Sequence, residues 1–120
     1  MSAAMQDIGM PFSAILSTLV EEHAPVIRAA IFCDEEGEKV DSFAIDGVEA
    51  FDLDLLGAAC APVASSLPGG SAVRMLLDDK SVWLANVDSG YYLIVLSERS
   101  KDGVVRADVL RAVAALAAHM

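Results

Sequence analysis

The sequence predicts an α+β domain of element order αββαβββα, with five strands in an antiparallel sheet and helices on both faces. Three observations lead there. Residues 26–33 (VIRAAIFC) and 91–96 (YYLIVL) are almost wholly apolar and rich in β-branched and aromatic residues, as strands buried on both faces are. The strand-like stretches are joined by short acidic or Gly-bearing turns, which suit hairpins and so antiparallel neighbours. Residues 51–68 (FDLDLLGAACAPVASSLP) are helical in spacing yet apolar on nearly every side, the mark of a helix buried twice.

At 120 residues the chain has the length of one domain, and residues 1–9 are expected to be a mobile lead-in. Pro11 suits a first helical turn, where its missing N–H costs nothing. Phe12, Ile15, Leu16 and Leu19 then line one helical face, with Ser13, Ser17, Thr18, Glu21 and Glu22 opposite, until Pro25 ends the run. The strand at 26–33 turns at Asp34-Glu35-Glu36-Gly37 and returns as the more polar strand 39–45, suited to an edge. Asp46-Gly47 breaks the chain before the central helix. Asp52 and Asp54 fall in its first turn, where the helix dipole favours carboxylates. Pro62 predicts a kink or distorted turn in one continuous helix.

Three strands follow, at 72–77, 81–87 and 91–96. Their turns are at Asp78-Asp79 and Asp88-Ser89-Gly90. The wholly apolar 91–96 should be the most central. After a loop at 100–103 the last helix carries Val105, Val109, Val113 and Leu116 on one stripe. The central helix should cover one face of the sheet and the terminal helices the other.

Composition narrows function. The chain is 55% hydrophobic with mean hydropathy +0.50, so apolar surface either lies on both faces of a sheet or goes to a partner. Eighteen Asp and Glu against eight Lys and Arg give a net charge of −10, which argues against nucleic acid and anionic membrane as partners and favours a basic protein surface. No stretch has the length of a membrane span, and the first ten residues do not resemble a signal peptide, so a cytoplasmic protein is expected. Cys33 and Cys60 lack metal or redox spacing and read as reduced core residues.

Catalytic readings fail on inventory. His23 and His119 have no metal-spaced companions, and Ser65-Ser66 have no base or oxyanion motif beside them. Pro68-Gly69-Gly70-Ser71 follows a helix and precedes a strand, the reverse of a phosphate-cradling loop. Acids at 34–38, 46–54 and 78–79 read as solvated hairpin ends, and Trp83 as a core or interface aromatic. No catalytic, metal or cofactor residue is expected, and the chain is not expected to be an enzyme.

The apolar surfaces are more informative. On the central helix, Leu53, Leu56, Cys60, Val63 and Leu67 should face the sheet, leaving Leu55, Ala58, Ala59 and Pro62 outward. If 91–96 is central with 81–87 beside it, strand 72–77 is an edge, although Val73, Met75 and Leu77 are apolar. An apolar edge invites pairing. A two-fold dimer joining these edges and packing the outward helix faces would use Leu55, Ala58, Ala59, Pro62, Val73, Met75 and Leu77.

Three segments in order, AAIFCDEEGEKV, DLDLLGAACAPVASSL and YYLIVLSERSKDGVVRADVL, resemble the roadblock/dynein-light-chain family over about residues 12–119. The resemblance implies strand order 2-1-5-4-3, with the second helix on one face and the first and third on the other. It also implies dimerisation through the third strand and second helix. Family members regulate or scaffold small Ras-like GTPases or serve as dynein light chains, and bacterial MglB-like members act on a partner GTPase as homodimers. The partners implied are therefore a second copy and a small Ras-like GTPase, with a GTPase-activating or co-activating role among the options. No arginine finger is assigned among Arg28, Arg74, Arg99, Arg106 and Arg111, and Pro62 in the second helix departs from the pattern. The alternative is a sensory or ligand-binding module of profilin- or PAS-like layout, which would need a lined cavity.

Overall fold

Residue 94 sits at the middle of the sheet, opposite Ile31 on one side and Leu84 on the other, and that position follows from its wholly apolar surroundings in sequence. The computed structural model describes residues 3–77, 79–88, 90–99 and 102–120, with the side chains of 3–11, 50, 51 and 102 excepted. In chain order the elements are α1 (Ala3–Glu22), β1 (Ile27–Asp34), β2 (Lys39–Ala44), α2 (Ala50–Ala64), β3 (Ala72–Leu77), β4 (Lys80–Asp88), β5 (Tyr91–Glu98) and α3 (Asp102–Ala118). The sheet order is β2-β1-β5-β4-β3, every neighbouring pair antiparallel. Asp78, Ser89 and Ser100, placed in turns by the sequence, lie outside the described residues.

Alternation along the inner strands builds two cores. Ala30 and Phe32 of β1, Trp83 of β4 and Leu93 and Val95 of β5 meet Leu16, Leu19 and Val20 of α1 and Val105, Val109 and Leu116 of α3. Ala29, Ile31, Cys33, Val82, Leu84 and Ile94 point the other way, onto Leu53, Cys60, Ala61 and Ala64 of α2. Burying two faces explains why VIRAAIFC and YYLIVL lack polar alternation. Trp83 lies in the first core, its Nε1–H donating to Ser97 Oγ at 3.3 Å.

Three expectations change. Helix α1 begins at Ala3, so residues 3–9, left outside the fold by the sequence reading, are helical, and Pro11 falls inside the helix. Ala3, Ala4, Met5 and Gln6 are good helix formers, and one absent N–H does not stop the helix. Helix α2 stops at Ala64 instead of continuing to 67. The Ser65 and Ser66 hydroxyls donate to Pro62 O and Val63 O, both at 2.7 Å, so side chains satisfy carbonyls that another turn would have used. Pro62 sits in the final turn of this single helix.

The third change is Val63, which is 44% exposed while Ala61 and Ala64 are buried. At about 100° per residue, Val63 lies roughly 80° round the helix from Leu53, whereas Ala64 lies within about 20° of it. Size therefore misplaced the stripe: the small residues face the sheet.

Candidate interaction surface

Strand β3 ends the sheet and hydrogen-bonds only to β4 among the described strands. In register, Val73 stands opposite Leu84, Met75 opposite Val82 and Leu77 opposite Lys80. Leu84 and Val82 belong to the core under α2, so Val73, Met75 and Leu77 share the α2 face of the sheet, and Ala72, Arg74 and Leu76 share the other. Helix α2 packs mainly on β1, β4 and β5, which leaves the α2 face of β3 bare. Val73 is 38%, Met75 37% and Leu77 46% exposed.

The outward side of α2 presents Leu55, 53% exposed, with Ala58, Ala59 and Pro62, all exposed. One flank of the helix is occupied by the β1–β2 hairpin. A Cβ on Gly37 would stand 2.8 Å from Ala58 Cα, and Lys39 Nζ lies 3.5 Å from Asp54 Oδ1. Val63 and Ala59 lie on the opposite flank by helical angle, toward β3. The structure thus brings six of the seven predicted residues to one apolar side of the molecule, with Ala58 at its margin against the hairpin. Val63 joins them, and sequence reasoning missed it; the signal was the Ala61 and Ala64 pair, which marks a close approach of helix to sheet.

The residues weighed for chemistry have structural employment. Ser65 and Ser66 close α2, as above. His23 Nε2 meets Asp108 Oδ2, and Arg111 Nη1 meets Asp108 Oδ1, so a mostly buried carboxylate on α3 joins the end of α1 to α3. They border a cavity of about 250 Å³ between those helices, otherwise lined by residues such as Ala14, Ile15, Leu19 and Ala112. His119 is exposed near the end of α3.

Ligand atoms of Asp34, Glu36 and Glu38 lie within 4.8 Å of one another. Asp34 Oδ1 accepts the Glu36 and Glu38 backbone N–H groups at 2.9 and 3.0 Å, which makes it the organiser of the hairpin turn. Lys80 Nζ lies 2.9 Å from Asp79 Oδ2 and 3.2 Å from Glu98 Oε2. That hydrogen bond, and then the ammonium charge, hold the Asp79 carboxyl below its usual range, while the Asp79 and Glu98 contacts push Lys80 up. Burial, then the Asp34 and Cys60 charges, push the Cys33 thiol up to about 11. Burial also raises Cys60. Both are free thiols.

No family model and no curated protein matches the chain. Solved structures do. A Roadblock/LC7 domain from Streptomyces avermitilis superposes with TM-score 0.74 and 18% identity, over 89% of this chain and 95% of that one. The gliding protein MglB from Thermus thermophilus gives 0.77 and 16%, over 90% and 87%. An MglB with a tetrameric arrangement gives 0.75 and 16%, over 88% and 84%. The chain has the roadblock fold, with its three helices and 2-1-5-4-3 sheet. Among the described residues no helix is long and apolar enough to cross a membrane.

Proposed function

We propose that this chain is a non-enzymatic, homodimeric regulator or scaffold of a small Ras-like GTPase. The observation that carries it is the bare apolar edge at β3 beside the outward face of α2, on a roadblock fold. Two copies meeting about a two-fold axis join β3 to β3, so that each edge completes the other's hydrogen bonds, and bring the Leu55, Ala59, Pro62 and Val63 faces together. The MglB with a tetrameric arrangement supports self-association, and the family resemblance brings in the GTPase. For a GTPase-activating role, the family resemblance implies a dimer that positions the GTPase's own residues.

Light scattering across a range of protein concentrations should return the mass of a dimer; a concentration-independent monomer contradicts the assembly. Binding to small Ras-like GTPases encoded beside this chain, loaded in turn with GDP and a non-hydrolysable GTP analogue, tests the partner. Retention of one nucleotide form over the other is expected, and no retention of either ends the reading.

A further inference from the structure

A second site lies on the α1 and α3 face of the sheet, at the end where β1 and β4 finish and β5 begins, and does not depend on the proposed function. Phe12, Phe32, Val40, Asp88, Tyr91 and Met120 surround a cavity of about 440 Å³. Phe32 is buried and closes the floor. Its ring centroid lies 5.1 Å from Phe12 and 5.7 Å from Tyr91, both partly exposed, which makes a row of three tilted rings. The apolar walls Val40 and Met120 are 46% and 47% exposed. Among the described residues nothing covers these rings on the side of Val40 and Met120.

The rim is acidic. Asp88 is paired in register with Tyr91 and is exposed. The Glu35 carboxylate lies over the adjoining turn, its Oε2 3.2 Å from where a Gly90 Cβ would stand. Among the described residues neither carboxylate has an ion-pair partner. Lys39, one residue from Val40, instead pairs with Asp54 on the other face. Ring faces attract cations, an apolar wall accepts an aliphatic stem, and the carboxylates would meet the charged head. The net charge of −10 draws a cation toward the chain as a whole.

We infer that this pocket receives a long basic side chain, arginine or lysine, from a protein partner. The guanidinium or ammonium group sits between the ring faces and Asp88, and the methylenes lie along Val40 and Met120. Charge and shape both select: an acidic side chain is repelled by Asp88 and Glu35, and a short one does not reach the rings.

The test is a titration of the ¹⁵N-labelled full chain with acetyl-Gly-Arg-Gly-amide, followed by amide shifts. Saturable shifts confined to the surroundings of Val40, Asp88 and Tyr91 are expected. The same peptide with citrulline, neutral and nearly isosteric, should bind at least about fivefold more weakly. Asp88→Asn, an exposed substitution whose spectrum reports its own folding, should weaken the arginine peptide about threefold. Tyr91→Leu should do the same by removing a ring face. Equal binding of citrulline, unchanged binding by a folded Asp88→Asn protein, or no shifts at millimolar peptide would each overturn the site.

Discussion

Gly37 turns the β1–β2 hairpin at φ +81°, and a Cβ there would meet Ala58 Cα at 2.8 Å. Gly47 has φ +93° but nothing within 4 Å of a Cβ. Gly37→Ala should therefore cost about 2 kcal/mol or more, adding a backbone clash to the dihedral cost, and Gly47→Ala only about 1 kcal/mol. Thermal denaturation of the two variants separates conformation from contact. Cys33 gives a pH prediction. Its folded pKa of about 11 exceeds the ordinary value of 9.0, so above pH 9 the unfolded chain loses the thiol proton first. Its contribution to stability is complete below pH 9 and is lost as pH rises toward 11. The chemical-denaturation midpoint should fall more steeply over that window in the wild type than in Cys33→Ala. At about pH 8 a disulfide reagent should label Cys33 and Cys60 slowly in the native chain and rapidly in denaturant.

At the scale of elements, α2 ends where its own side chains stop it. Pro62 leaves the Ala58 carbonyl without its i+4 donor, and Pro62→Ala restores it. The variant should gain about 1 kcal/mol, since the freer unfolded chain offsets part of the helical gain. Helical circular dichroism followed through thermal unfolding checks this, and a lower midpoint contradicts it. The strands were the legible part of the sequence: the apolar runs, acidic turns and one polar edge strand put 91–96 at the centre and 72–77 at an edge, and the family resemblance supplied the full order. The helices were legible in existence but not in detail. Periodicity ranked Val63 with the sheet-facing residues because it is larger than Ala64, yet a helix lying close to a sheet buries its small side instead. The start of α1 was hidden by Pro11, whose local preference lost to the helix formers before it. At the candidate surface, the apolar edge could be read from strand order, whereas the flank of α2 facing β3 depended on where the hairpin lands, which no local pattern encodes.

For the whole molecule, the exposed apolar residues of α2 and the β3 residues Val73, Met75 and Leu77 lie on one side of a chain with net charge −10. If two copies join there, Ala59→Glu puts a carboxylate in each apolar joint and should shift the light-scattering mass to the monomer while leaving the monomer's stability within about 0.5 kcal/mol. Salt supplies an independent check. Two chains of like charge repel, so raising ionic strength from about 0.05 to 0.5 M should tighten self-association, measured by sedimentation, and loosening it would point to a polar joint instead.

The central place of β5 also dictates an order of assembly. It is the last strand made, and it lies between β1 and β4, which do not touch each other in the ladder. Until residues 91–98 leave the ribosome, the β1–β2 and β3–β4 hairpins are two separate ribbons, each holding out an apolar edge meant for the same missing strand. Long-range closure is slow, and such edges are prone to pair wrongly. Until β5 emerges this domain cannot form its core, and the seam that finally closes it is not the one left open at β3.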